Sequence, residues 1–260
     1  MSRIVEPELA SDSVPGVPST HDSEIIMMMN GASGFLDLVT IRKARTVLRT
    51  DGHLLIEDCY DTQVCKSVIR FMDELESRDK TEVNYAGTEL RIWDAHKRAP
   101  LLADFYRECN VFLSCLLRRD TEALTLLAIR NNALDPSDEI SRRGRWHIDS
   151  FRRQLKIFLF LTDTTEASGP FEFIPGTHAR TFKLGGLLGG AYLKASDPFT
   201  GRRAYQKLDD DWVESLSAKG YRPVSVICKA GTMMVADTSA IHRARPCLEG
   251  SRYALTTYYP

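Results

Sequence analysis

Short apolar runs separated by turn residues fill the chain after residue 120, and they limit the fold more than any other feature of the sequence. The runs hold four to seven residues each and stand at 124–129, 155–161, 171–174, 224–227, 233–236 and 253–259. Runs of this length between turn residues are typical of β-strands. Three amphipathic helical patterns, at about 36–48, 61–76 and 100–116, precede all six runs instead of alternating with them. The sequence therefore predicts a mainly β fold, an antiparallel sandwich or barrel with flanking helices.

Composition and charge exclude several classes of protein. The 260 residues include 34 Lys+Arg and 35 Asp+Glu, so the chain lacks the basic excess of a nucleic-acid-binding protein. No stretch approaches the roughly 18 apolar residues of a membrane span. The N-terminus has no apolar core of the roughly 7–15 residues found in secretory signals. We therefore expect a cytoplasmic protein that binds neither nucleic acid nor a membrane.

Two segments differ in composition and residue pattern from the rest of the chain. Residues 1–34 are rich in Ser, Pro and Asp and show no apolar periodicity, which predicts a flexible N-terminal leader. Residues 35–260 are predicted to form a single domain. Within it, residues 181–222 interrupt the strands with glycines and a polar stretch, which predicts an insertion that acts as a lid or substrate loop.

His147 and Asp149 form an HxD step, and residues two apart on a strand point to the same face. An imidazole and a carboxylate placed in this way could bind one metal ion together. A chain with six histidines contains such a step by chance about one time in three, so the pair alone is weak evidence. A histidine that is hydrogen-bonded to a neighbouring carboxylate is the alternative.

A second histidine strengthens the metal interpretation. His242 follows the apolar run 231–236, and Arg252 lies ten residues further on, with turn residues between them. If the flanking segments pair as antiparallel strands, His242 and Arg252 come close together inside a barrel. Two histidines and one carboxylate are the facial triad of non-haem Fe(II) oxygenases, which leaves metal positions open. A buried arginine nearby would pair with the distal carboxylate of a bound 2-oxo acid.

These motifs resemble the phytanoyl-CoA dioxygenase (PhyH) family of Fe(II)/2-oxoglutarate-dependent oxygenases. The matching stretches are DGHLLIEDCYD (51–61), RWHIDSF (145–151), KIFLFLTDTTEASGPFEFIPGTH (156–178) and GTMMVADTSAIHRARPCLEGSRYALTTYY (231–259). They follow the order of the family: HxD, a Gly-Pro strand that ends in PG(S/T)H, then the distal histidine and its arginine. The resemblance implies a double-stranded β-helix, the jelly-roll or cupin-like fold, and the cofactors Fe(II), 2-oxoglutarate and O2.

The resemblance also implies roles for single residues. His147, Asp149 and His242 match the three iron ligands, and Arg252 matches the residue that binds the distal carboxylate of 2-oxoglutarate. The histidine of the PG(S/T)H motif, His178 here, is not a ligand in the family. Asn132, at the end of the strand before the HxD step, is our prediction for a second contact to 2-oxoglutarate.

The predicted function is the hydroxylation, or another oxidation, of a small molecule in secondary metabolism. Desaturation and ring closure use the same ligands and remain open. Related halogenases have a small residue where this chain has Asp149, which favours an oxygenase. The alternatives are a non-catalytic jelly-roll binding protein and a cupin-type metalloenzyme that needs no 2-oxo acid.

Basic residues near the HxD step permit two interpretations each. Five arginines stand between residues 142 and 153, where they either attract an anionic substrate or form a solvated basic face. Lys156 interrupts an apolar strand, and it either faces the active-site mouth or extends to the surface.

Overall fold

Two antiparallel sheets face each other in this computed structural model, which describes residues 2–5, 25–27, 38–78, 82–84, 88–134, 144–189 and 206–260. The strands are β1 (Ser2–Val5), β2 (Ile25–Met27), β3 (His53–Ile56), β4 (Glu82–Asn84), β5 (Glu89–Ile92), β6 (Thr125–Asn132), β7 (His147–Ile148), β8 (Leu155–Phe160), β9 (Phe171–Phe173), β10 (Gln206–Lys207), β11 (Val224–Ser225), β12 (Met233–Asp237), β13 (His242–Ala244) and β14 (Ser251–Tyr259). The helices are α1 (Leu38–Thr50), α2 (Thr62–Arg78), α3 (Pro100–Leu117), α4 (Arg180–Leu188) and α5 (Asp210–Ser215).

The strand order is that of a double-stranded β-helix. The major sheet has nine strands in the order β2-β1-β3-β12-β8-β14-β6-β5-β4, and the minor sheet has five in the order β10-β7-β13-β9-β11. Strands that are distant in sequence become neighbours, since β14 at the C-terminus lies between β6 and β8. The prediction of a mainly β jelly roll with flanking helices is confirmed.

The strands β3, β8 and β12 of the major sheet have one face toward the helices and one toward the minor sheet. Alternation along β8 places Ile157 and Leu159 with the helices, where they join Leu48, Met72 and Leu113 in one buried core. The other face of β8 carries Phe160, which packs against Phe171 and Phe173 of β9. Apolar stripes on α1, α2 and α3 therefore cover the outside of the sheet, and the space between the two sheets is the interior of the barrel.

The strand that contains the apolar run 124–129 extends beyond the run. The strand β6 continues to Asn132 because β14 pairs with it over eight residues. Arg130 within this extension forms a bidentate contact with Glu76 of α2, with nitrogen–oxygen distances of 2.6 and 2.7 Å. The polar end of β6 is thus held by pairing partners that are far away in the sequence.

The predicted leader and insertion lie partly outside the described residues. Two short strands occur within residues 1–34: β1 pairs with both β2 and β3 at the edge of the major sheet. The interval 181–222 contains most of α4, then β10 and α5, and β10 pairs with β7 beside the HxD step. The flexible leader, the single domain 35–260 and the lid role of the insertion stay predictions. Among the helices of the described ranges, none has the length and apolar content needed to cross a membrane.

Gly231, directly before β12, occupies a position that a side chain would disrupt. Its φ is +89°, and a Cβ atom there would lie 2.1 Å from the carbonyl oxygen of Tyr60. Gly250 has a similar φ of +66°, but a Cβ atom would meet nothing within 4 Å. We expect Gly250→Ala to lower the free energy of unfolding by about 1–2 kcal/mol, the cost of left-handed backbone. Gly231→Ala adds the clash with Tyr60, so we expect it to lower the free energy of unfolding by more than about 3 kcal/mol. Urea denaturation of both variants measures the difference, and equal losses would contradict this account.

Candidate active site

The two strands that carry the predicted histidine ligands are neighbours in the minor sheet. β7 and β13 pair so that His147 lies directly opposite His242, with 4.2 Å between the ring centroids. Asp149 follows β7, and its backbone N–H donates to the carbonyl of Thr238 at 3.0 Å. The ligand atoms of the three side chains all lie within 4.8 Å of one another. Sheet pairing therefore assembles one cluster from residues that are almost 100 positions apart.

Backbone carbonyls orient both imidazole rings. The Nδ1–H group of His147 donates to the carbonyl of Arg145 at 2.9 Å, and that of His242 donates to Ala240 at 2.9 Å. Each ring therefore presents the lone pair of Nε2 to the cluster, at 3.9 Å (His147) and 3.6 Å (His242) from a carboxylate oxygen of Asp149. Burial, and secondarily the neighbouring His242, lowers the pKa of His147 to about 3, so its imidazole is neutral and able to bind a metal ion.

Asp149 is ionised although it is largely buried. Burial by itself would raise the pKa of its carboxyl group, but the ammonium group of Lys156 lowers that pKa below its usual range. The Nζ atom of Lys156 lies 2.6 Å from Oδ2 of Asp149. Two neutral imidazoles and one carboxylate are a donor set that fits a divalent transition metal such as Fe(II).

The turn that precedes His242 is held by the PGTH motif. The hydroxyl group of Thr177 donates to the carbonyl of Ile174 at 2.7 Å and accepts from the N–H group of Ile241 at 2.8 Å. His178 instead donates from Nε2 to the carbonyl of Arg49 at 2.9 Å. The structure thus places His178 outside the metal-ligand cluster, and Thr177 is the residue of the motif that supports the strand of His242.

Lys183 of α4 joins the two segments that flank the cluster, and sequence reasoning missed it. Its buried ammonium group donates to the carbonyl of Phe151 at 3.1 Å and to Oγ of Ser239 at 2.6 Å. Phe151 stands two residues after Asp149, and Ser239 stands three residues before His242. One side chain from the start of the predicted insertion therefore ties both loops together. Its spacing from the motifs carries no signal that would have revealed this contact.

Arg252 lies on the interior face of the major sheet, within a polar network. It stands opposite Asn131 on β6, and its Nη2 donates to Oδ1 of Asn131 at 2.7 Å. Asn131 in turn donates to Glu89 at 2.9 Å, and Glu89 pairs with Arg91 at 2.7 Å. Arg252 is 9% exposed and Asn131 is 6% exposed. A guanidinium group fixed in this way inside the barrel is suited to bind a carboxylate.

Asn132 does not share this network. Successive residues of a strand point to opposite faces, so Asn132 turns away from the face of Arg252 and Asn131. Its Oδ1 accepts from the hydroxyl group of Ser251 at 2.9 Å. The structure thus gives the contact with Arg252 to Asn131, the neighbour of the predicted Asn132. The role of Asn132 as a second contact to 2-oxoglutarate stays a prediction.

The fold and the cluster together define a class of protein, a jelly-roll metalloenzyme whose metal is held by two histidines and one carboxylate. The chain belongs to the phytanoyl-CoA dioxygenase (PhyH) family, whose sequence profile matches residues 48–251. The predicted enzyme class, an Fe(II)/2-oxoglutarate-dependent dioxygenase, agrees with this family and with the donor set. The predicted cofactors Fe(II), 2-oxoglutarate and O2 agree with them as well. No curated protein sequence matches the chain.

Solved structures with the same fold include several enzymes that depend on 2-oxoglutarate. The epimerase SnoN, in complex with Fe3+, α-ketoglutarate and nogalamycin RO, has 15% identity and a TM-score of 0.62, and the match covers 86% of this chain and 84% of that chain. The carbocyclase SnoK from nogalamycin biosynthesis has 18% identity and a TM-score of 0.61 over 84% and 83% of the two chains. EctD from S. alaskensis, with 2-oxoglutarate and 5-hydroxyectoine, has 16% identity and a TM-score of 0.65 over 93% and 84%.

Proposed function

We propose that this protein is an Fe(II)/2-oxoglutarate-dependent dioxygenase that hydroxylates or otherwise oxidises a small molecule of secondary metabolism. His147, Asp149 and His242 would hold the iron, and Arg252 would bind the distal carboxylate of 2-oxoglutarate. The single observation that carries the proposal is the convergence of two oriented imidazoles and one ionised carboxylate within 4.8 Å. A buried arginine on the interior face of the facing sheet completes the set.

Iron(II) with bound 2-oxoglutarate supplies the activation of O2, and the protein supplies binding and orientation. In a hydroxylation, one oxygen atom of O2 enters a substrate C–H bond and the other enters succinate, while CO2 leaves. Arg252 binds the co-substrate carboxylate, and Asn131 holds the guanidinium group in place. The interior wall of Phe160, Phe171 and Phe173 excludes water from the reaction.

The structural neighbours support a small secondary metabolite as the substrate. SnoN is described with nogalamycin RO, SnoK comes from nogalamycin biosynthesis, and HygX from Streptomyces hygroscopicus is described with hygromycin B. The names epimerase and carbocyclase indicate that this fold also carries outcomes other than hydroxylation. Our proposal therefore includes epimerisation and ring closure as outcomes at the same metal.

The arginines near the HxD step give limited support to an anionic substrate. Nε of Arg153 lies 3.6 Å from the buried carboxylate of Asp237, which gives this arginine a structural role. Arg142 and Arg143 lie outside the described residues. Arg145 and Arg152 are exposed, and they are the members of the cluster that fit the substrate-attraction hypothesis.

Release of succinate from 2-oxoglutarate tests the proposal against both alternatives. Purified protein is incubated with O2 and 2-oxoglutarate, with and without Fe(II), and then with a panel of secondary metabolites. We expect slow succinate formation that requires Fe(II) and that rises when the substrate is present. Metal uptake without any succinate formation would favour a cupin-type enzyme that needs no 2-oxo acid. Neither metal uptake nor succinate would favour a non-catalytic binding protein.

A further inference from the structure

Lys156 occupies the interior of the barrel, where a lysine is costly to bury. It lies on β8 in a row across the major sheet, between Ala236 of β12 and Tyr258 of β14. The other interior positions of β8, Phe158 and Phe160, carry aromatic rings. Lys156 is only 9% exposed, so its side chain does not extend to the surface. A buried ammonium group in this position requires a group of opposite charge nearby or a function in the site.

The contacts of Lys156 aim its charge at the candidate metal centre. Nζ lies 2.6 Å from Oδ2 of Asp149 and 4.3 Å from the ring centroid of Tyr258. The aromatic face stabilises the ammonium group on one side, and the carboxylate stabilises it on the other. His242 approaches the same oxygen, with Nε2 at 3.6 Å from Oδ2. Lys156 is therefore in direct contact with one of the three proposed metal ligands.

A carboxylate can bind a metal through one oxygen or through both. Three protein ligands would leave room at a bound metal for a chelating 2-oxo acid and O2. A second oxygen from Asp149 would take part of this room. A cation that engages one carboxylate oxygen prevents this, and it also repels the metal cation while it attracts the anionic co-substrate.

We propose that Lys156 is a positioning residue of the metal centre, which leaves one oxygen of Asp149 for the metal and raises the affinity of the site for the 2-oxo acid. The inference rests on the proposed function. A residue that served packing alone would support metal and co-substrate binding equally. The proposed role affects metal binding and co-substrate binding in opposite directions. The positive charge of Lys156 opposes the binding of the metal cation and favours the binding of the 2-oxoglutarate dianion.

The test measures two dissociation constants in the variant Lys156→Met, whose unbranched side chain is one atom shorter and carries no charge. Co(II) binding to the apoprotein is measured by calorimetry, and 2-oxoglutarate binding is then measured on the Co(II)-loaded protein. We expect Co(II) to bind at least as tightly as in the wild type and 2-oxoglutarate to bind about tenfold more weakly. The charge-transfer band of the anaerobic Fe(II)–2-oxoglutarate complex should shift or weaken at equal saturation.

Lys229→Met is the matched control, because Lys229 also pairs with an aspartate, Asp163, at 2.8 Å, but its side chain is 83% exposed. We expect this variant to match the wild type in both constants. Parallel weakening of Co(II) and 2-oxoglutarate in Lys156→Met would overturn the proposal, and so would unchanged constants. If the methionine variant does not fold, Lys156→Gln is measured with the same expectations. A wild type that binds neither ligand would refute the proposed function itself.

Discussion

Replacing His147 by alanine is expected to abolish metal binding and the turnover of 2-oxoglutarate. The variant loses one of the three proposed ligand atoms, and the alanine offers no replacement donor for Fe(II). Loss of a partner outside the ligand set already costs about 10- to 100-fold in metal affinity, so we expect a loss of more than about a hundredfold here. Calorimetry with Co(II) and a succinate assay with Fe(II) measure the two effects.

His178→Ala is the control for this experiment. His178 donates to the carbonyl of Arg49 and takes no part in the cluster. We expect this variant to bind Co(II) as the wild type does, even if its stability falls. Full activity in His147→Ala, or an equal loss of metal binding in His178→Ala, would refute the ligand assignment.

The second large effect is expected at Arg252. Arg252→Met removes the cation that we propose binds the distal carboxylate, and it leaves Asn131 without this donor. A charge-assisted, bidentate contact of this kind contributes about 3 kcal/mol, so the KM for 2-oxoglutarate should rise by about a hundredfold. Metal affinity should stay close to that of the wild type, because Arg252 lies on the major sheet and the candidate ligands do not. His147 and His242 lie on the minor sheet, and Asp149 directly follows strand β7 of that sheet.

Two neighbouring asparagines provide a matched pair for the same measurement. Asn131→Ala removes the oxygen that holds Arg252, and we expect the KM for 2-oxoglutarate to rise by about tenfold. Asn132→Ala removes a contact with Ser251 on the other face of the strand, and we expect no change. A higher KM in Asn132→Ala with an unchanged KM in Asn131→Ala would support Asn132 as the second contact to 2-oxoglutarate. It would contradict a role for the contact between Asn131 and Arg252.

Sequence reasoning pointed to the residues of the candidate metal centre because part of their signal is local. His147 and Asp149 stand two apart on an extended segment, so the backbone places them on one face whatever the rest of the chain does. The fold class is similarly readable, since six short runs that follow three amphipathic patterns exclude alternating βαβ units. His242, which the sequence analysis also named, joins the pair in the structure through the pairing of β7 with β13.

The choice between Asn131 and Asn132 had no local signal. Both residues end the same strand, and their faces depend on the register of β6 against β14, more than 100 residues away. A shift of that register by one residue would exchange the two side chains. For the same reason, the contacts of Lys156 with Asp149 and of Lys183 with Ser239 could not be predicted. Such contacts of long side chains depend on how the two sheets and α4 pack against one another.

The sequence by itself determined the fold class, the family and the residue types at the candidate metal centre, because periodicity and short motifs act over a few neighbouring residues. The tertiary structure alone decided which asparagine supports Arg252, that Lys156 turns inward to Asp149, and that α4 braces both ligand loops. These outcomes depend on pairing between strands that are far apart in the chain. That pairing follows from burial of the whole core and not from any single segment.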